Sequence, residues 1–203
     1  MPGTFVAFEG PDGGGKSTAI RVLKEFLESK GHKVLLTREP GGTMLGDRLR
    51  NVVLARSVEP MSQTTNALIF AAARRIHVEN VIKPALEAGI IVLCDRFMLS
   101  TLCYQPDAYR LHDIIDIATE GLLPHITFYL DIDPATGLNR LQADREKDVF
   151  ESERITYLIR RREIGLAWCK ANPDLSVVID ASQPMNKVHA DIMSTMDALL
   201  SVS

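Results

Sequence analysis

Phe8-Glu9-Gly10-Pro11-Asp12-Gly13-Gly14-Gly15-Lys16-Ser17-Thr18 leaves an apolar alternation near the N-terminus and has the form GxxxxGKS. The glycines at 10, 13, 14 and 15 let the backbone curl with its N–H groups pointing inward, an arrangement suited to closely spaced phosphate oxygens. Lys16 is spaced to reach the β and γ phosphates of a nucleoside triphosphate and Ser17 to ligate Mg²⁺. The helix that opens there turns its positive end toward the anion. Gly10, Pro11, Asp12, Gly13, Gly14, Gly15, Lys16, Ser17 and Thr18 are therefore the expected triphosphate-binding loop.

The flanks agree. Residues 4–8 read as a short buried strand, and Ile20, Leu23 and Leu27, with Val22 and Phe26 beside them, recur at helical spacing until Gly31 offers a C-cap. Strand, loop and helix follow in the order this motif requires. The loop alone does not name a reaction, since the same motif serves ATPases, GTPases, motors and small-molecule kinases.

A chain of 203 residues with 46% hydrophobic content suits one α/β domain over residues 1–203 with a substantial core. The net charge of −3 argues against a general nucleic-acid binder, so the basic residues are expected around a small anionic ligand. The Met1-Pro2-Gly3 start lacks the basic region of a signal peptide, and no apolar run approaches the roughly 20 residues that span a membrane. A cytoplasmic protein without membrane or nucleic-acid partners is the expectation. Cys94, Cys103 and Cys169 lack metal-ligand spacing and are expected as buried free thiols. His32, His77, His112, His125 and His189 are scattered and are read as surface or helix-end residues.

After the first helix, residues 33–37 read as a strand, and a Gly41-Gly42 turn leads to a short helix over 45–54. Ser62-Gln63-Thr64 opens a long helix reaching about residue 88. Strands follow at 90–94, 126–130 and 177–179, with helical stretches at 100–104 and 111–120 and a closing helix over 184–200. Strands alternating with helices imply a five-stranded parallel sheet covered on both faces, a three-layer P-loop NTP hydrolase fold. The charge-rich, weakly apolar stretch 143–162 is the candidate lid, placed at about 143–151.

In such a sheet ligands lie beyond the carboxyl ends of the strands, which here carry the P-loop, Arg38-Glu39-Pro40, Asp95-Arg96 and Asp131. Asp95 takes the position of the acid that assists Mg²⁺, directly or through water. Arg96 beside it can clamp a phosphate, and Arg38 and Arg74 join it as candidates for a second phosphate site. Asp131 reads as a structural strand-end residue. Phe70 stands one helical turn before Arg74, which suits a flat base with polar edges as well as it suits core packing.

These residues together resemble the thymidylate kinase family. The resemblance runs through most of the chain: the P-loop, Thr37-Arg38-Glu39-Pro40-Gly41-Gly42-Thr43, Phe70 to Arg74, Asp95-Arg96 followed by Ser100-Thr101 and Tyr104-Gln105, and Tyr129-Leu130-Asp131 with Pro134 and Gly137-Leu138. It implies ATP as donor with Mg²⁺ held through Ser17 and Asp95, and dTMP as acceptor. It also implies that Phe70 stacks on thymine, that Arg74 and Thr101 meet the polar edge of the base, and that Tyr104 lies against the sugar where a ribose 2′-OH would clash. Arg38 and Arg96 would hold the monophosphate, Asp12 would accept from the 3′-OH, and Pro40 and Gln105 would complete the pocket. Lys16 and Arg96 would be catalytic together with a lid arginine. Gly13 and Gly14 leave no arginine in the P-loop, and Arg145 is the first choice for it, with Lys147 and Arg140 behind. Arg160-Arg161-Arg162 reads as a solvated helix face. The resemblance also suggests a homodimer packed through the long helix from Gln63.

The chemistry of the residues agrees with that resemblance. The acceptor in a monophosphate kinase is a phosphate oxygen, already mostly ionised at neutral pH, so cations are needed and a general base is not. Three departures from the family pattern stand out: Asp148-Val149-Phe150-Glu151 in place of a lid Asp-Arg pair, the short Pro106-Asp107-Ala108-Tyr109-Arg110 after Gln105, and Asn66 where an acid is commoner. They leave another or a modified deoxypyrimidine monophosphate open as acceptor. A deoxynucleoside kinase, which wants a carboxylate base near the sugar, is the more distant alternative.

Overall fold

The apolar alternation before the P-loop becomes β1 (Phe5–Glu9), and its period of two splits the core. Val6 and Phe8 face one layer, where they meet Ile20, Leu23 and Leu27 of α1 (Lys16–Ser29) and Val188, Ile192 and Met196 of the last helix. Phe5 and Ala7 face the opposite layer and its helices. Burial on both sides explains why every residue of β1 is inaccessible to solvent. A computed structural model describes residues 3–55, 60–141 and 151–202 of the chain.

The remaining strands are β2 (Val34–Arg38), β3 (Ile91–Asp95), β4 (Ile126–Asp131) and β5 (Ser176–Asp180), and the sheet order is β2-β3-β1-β4-β5 with every pairing parallel. The order reverses direction around β1, so the P-loop opens at the topological switch point, where a crevice forms. The five-stranded α/β fold is as expected from the sequence.

Local chemistry sets the helix limits. At the end of α1, Gly31 adopts φ 87°, and the N–H groups of Gly31 and His32 reach back to the carbonyls of Glu28 and Leu27 at 2.9 and 3.1 Å. That is the double bond of a glycine-terminated helix. Thr43 Oγ1 accepts from Gly46 N at 2.9 Å to cap α2 (Met44–Leu54). Ser62 Oγ accepts from Thr65 N at 3.1 Å to cap α3 (Gln63–His77). The expected single helix to residue 88 is instead α3, a π-helical turn (Val78–Ile82) and α4 (Lys83–Glu87). Pro84 has no N–H to donate, and the altered hydrogen-bond register in the turn before it accommodates the loss.

Next come α5 (Met98–Tyr104), α6 (Leu111–Thr119) and α7 (Pro134–Leu141). They are followed by α8 (Glu151–Ala171) and α9 (Met185–Val202). The length of α8 corrects the sequence reading of 143–162 as lid, because residues from 151 onward are a long helix packed against α5 and β4. The stretch lacks a clean apolar stripe since much of its anchoring is ionic. Arg162 makes a two-pronged pair with Asp131 at 2.6 and 2.7 Å, and Arg160 does the same with Asp107. Residues 142–150, including Arg145, Lys147 and all but the last residue of the expected lid, lie outside the described residues. Among the described residues no helix is long and apolar enough to cross a membrane.

Candidate active site

Glycine is required at position 13. Its φ is 80°, and a Cβ there would stand 2.2 Å from the Gly137 carbonyl oxygen at the start of α7. An arginine is therefore barred from this P-loop position by geometry. Lys16 roots the loop: its Nζ donates to the carbonyls of Gly10 and Pro11, each at 2.9 Å. Burial lowers the Lys16 pKa to about 8, with the Arg96 charge adding to the effect and Asp12, Asp95 and Glu9 opposing it.

Ser17 and Asp95 meet as the motif requires, with Ser17 Oγ donating to Asp95 Oδ2 at 3.2 Å. The other oxygen, Oδ1, is buried without a hydrogen-bond partner among the described residues. A carboxylate with a free buried lone pair beside a hydroxyl is a donor set of the hard oxygen type that Mg²⁺ takes. The two residues therefore fit the expected cation.

Beside the loop lies a cleft of about 400 Å³. The residues expected to bind the acceptor, Asp12, Arg38, Pro40, Phe70, Arg74 and Arg96 together with Thr101, Tyr104 and Gln105, all line it. They come from the P-loop, the end of β2, α3, the end of β3 and α5, so their meeting is a product of the sheet order. Phe70 and Tyr104 contribute aromatic lining, and Arg38, Arg50, Arg74 and Arg96 make the cleft rich in arginine.

Each arginine is held differently. Arg74 is 4% exposed, with Nε donating to Glu39 Oε2 at 2.6 Å, Nη1 to Thr101 Oγ1 at 2.9 Å and Nη2 to the Phe97 carbonyl at 2.9 Å. Arg38 is exposed at the cleft mouth, 3.2 Å from Asp47. Arg96 has φ 71°, donates to Asp12 Oδ1 at 2.5 Å and to Ser100 Oγ at 3.1 Å, and lies 5.2 Å from the Tyr104 ring centroid. Burial works against the Arg96 charge, yet Tyr104, Glu9, Asp12 and Asp95 together hold its pKa above the ordinary arginine range. Asp12 thus lines the cleft as the partner of Arg96 through Oδ1.

Four contributors escaped the sequence reading. Glu9, inside the opening motif, is 2% exposed and accepts from Phe97 N, Ser100 N and Ser100 Oγ at 2.8, 3.0 and 2.7 Å. It caps the start of α5 and fixes the segment that carries Arg96. Burial raises the Glu9 pKa, with Arg96 and these donors pulling against the shift. Glu39 is the buried counter-charge of Arg74, and its second oxygen lies 3.0 Å from His77 Nδ1. His77, the last residue of α3 as its helix-end reading expects, is nonetheless fully buried rather than at the surface, with Nε2 2.6 Å from Thr37 Oγ1. His125 Nδ1 accepts from Phe5 N at 2.9 Å and supports β1. A charged residue between Arg38 and Pro40 at a strand end was the one available signal for Glu39.

Elsewhere Asp131 is engaged by Arg162, and Asp133 Oδ1 caps α7 through Thr136 N at 3.0 Å. Arg140 donates to the Ala181 carbonyl at 3.0 Å and approaches the Gly13 carbonyl at 3.5 Å, on the outer flank of the P-loop. The three cysteines are buried and unbridged.

Comparison with known proteins agrees with this geometry. A family model described as thymidylate kinase matches residues 8–192. A thymidylate kinase of Geobacillus sp. (strain WCH70) is 42% identical over 207 residues, covering 98% of this chain and 99% of the relative. Those of Clavibacter sepedonicus and Lactobacillus acidophilus are 41% and 40% identical, covering 98% and 97% of this chain.

Proposed function

The chain belongs to the thymidylate kinase family, and from that premise we propose how its cleft phosphorylates dTMP to dTDP with ATP. The protein is a phosphotransferase. What carries the assignment of roles is the meeting of Phe70, Arg74, Arg38 and Arg96 around one cleft that also contains Asp95 and borders the P-loop. The aromatic ring supplies a face for thymine. Arg74, locked by Glu39 and Thr101, presents a fixed cation and donors to the edge of the base. Arg38 and Arg96 receive the 5′-phosphate, and Asp12 and Tyr104 border the sugar.

Phosphoryl transfer between two anions is limited by charge and alignment. The acceptor oxygen is ionised near neutral pH, and among the described residues no histidine lines the cleft. Lys16 turns from the loop carbonyls to the β and γ phosphates, the P-loop N–H groups hold the chain of phosphates, and Arg96 holds the attacking phosphate in line. Mg²⁺, held through Ser17 and Asp95, would neutralise charge on the β and γ oxygens. With glycine imposed at position 13, the remaining positive charge at the transferring group comes from the lid, where Arg145 is the candidate.

A direct test compares thymidine with dTMP under ATP and Mg²⁺. Turnover of dTMP alone is expected, and turnover of thymidine alone would sink the reading.

A further inference from the structure

The run Arg160-Arg161-Arg162 reads as a solvated face, yet α8 assigns each arginine a separate partner. Arg160 and Arg162 pair with Asp107 and Asp131. Among the described residues Arg161 pairs with no carboxylate. Its guanidinium carbon lies 3.6 Å from the Tyr104 ring centroid and 3.8 Å from that of Tyr157, and its Nε is buried without a hydrogen-bond partner among the described residues. Stacking on two rings is what holds it among the described residues. Tyr157 closes the group by donating its hydroxyl to the Tyr104 carbonyl at 3.3 Å.

Tyr104 is the point of this arrangement. Its ring lines the acceptor cleft and also a small cavity behind it that Arg161 shares with Gly10, Pro11 and Asp12. The ring is thus a partition between the cleft and α8, close to the end of α5, and no hydrogen bond to its hydroxyl occurs among the described residues. Arg96, at 5.2 Å, is a distant second cation. The close contact to Arg161 therefore fixes where the partition stands.

We propose that Arg161 is a positioning residue that holds the Tyr104 ring in place and thereby sets the preference for 2′-deoxy over ribose acceptors. The inference rests on the reading that the sugar of dTMP lies against Tyr104. Rejection of an added hydroxyl by a clash is only as strong as the wall is stiff, because a ring free to swing makes room. A planar guanidinium between two rings resists that swing, and an ammonium on a flexible stem does not reproduce it.

The test measures kcat and KM for dTMP and for ribothymidine 5′-monophosphate in the wild type, Arg161→Ala, Arg161→Lys and Tyr157→Leu, with Tm and the KM for ATP as controls. Discrimination, the ratio of the two kcat/KM values, is expected to fall about tenfold or more in Arg161→Ala. It should fall nearly as far in Arg161→Lys and in Tyr157→Leu, with the KM for ATP unchanged. A merely structural role would lower turnover of both acceptors together and leave the ratio intact. An unchanged ratio in Arg161→Ala and Tyr157→Leu overturns the proposal, as does a wild type that does not discriminate. A wild type that fails to phosphorylate dTMP at all overturns instead the reading on which the proposal stands.

Discussion

At Gly13 a positive φ and the 2.2 Å approach of the Gly137 carbonyl to any Cβ act together, so substitution there strains the loop and displaces α7. Gly13→Ala should lower stability by ~2 kcal/mol or more, read as a fall in Tm, and should weaken ATP binding. A Tm equal to that of the wild type would show that the two backbones do not approach as described. Lys16 carries a second expectation. Its pKa of about 8 in the free site means that above that pH the amine has lost its proton. A bound triphosphate favours the charged form and raises the pKa, so binding takes a proton up in the window between the free and bound values. Calorimetry at about pH 8.5 in buffers of different ionisation enthalpy should report this uptake, since the phosphates of ATP are already fully ionised there. Independence from the buffer would contradict the burial argument. Lys16→Ala should abolish transfer. Arg145→Ala should reduce kcat by orders of magnitude with little change in dTMP affinity, and near wild-type turnover would remove Arg145 from the lid assignment.

Among the elements, α8 depends most on ionic anchors and was the least legible beforehand. Its partly buried two-pronged Arg162–Asp131 pair joins the helix to the end of β4. Solvent reaches the arginine, which limits the contribution to about 1 kcal/mol. A double-mutant cycle of Arg162→Ala and Asp131→Ala should show coupling of that order, whereas the fully exposed Arg160–Asp107 pair should show little. The central strands and the P-loop were readable because burial on both sheet faces writes an uninterrupted apolar run, and because the phosphate cradle demands glycines at set positions. The roles of Glu39, His77 and Arg161 were not, since each depends on a partner 35 or more residues away in sequence. The π-helical turn after His77 was hidden for a related reason, because its side chains keep an apolar rhythm that a continuous α-helix shares.

Across the whole molecule, the sheet order brings residues from five segments into one cleft, and the exposed surface of α3 and α6 bears on assembly. Leu68 and Arg75 are seven residues apart on α3 and share a face. Leu68 is 53% exposed, Ile117 on α6 is 70% exposed, and Arg75 donates to the Ile117 carbonyl at 3.1 Å, so the two apolar side chains border one surface. A homodimer through this face is the expected assembly. Leu68→Arg with Ile117→Arg should shift sedimentation from dimer to monomer, and a wild type that sediments as a monomer would reject it. The short segment after Gln105 follows a residue that lines the nucleotide cleft, so the identity of the base is the property to measure. The decisive measurement is therefore kcat/KM with ATP and Mg²⁺ across dTMP, dUMP, 5-substituted dUMP, UMP and dCMP. The highest value is expected for dTMP, with dTDP and ADP formed in equal amounts. A higher value for any other acceptor in the panel, or no transfer to dTMP, would contradict it.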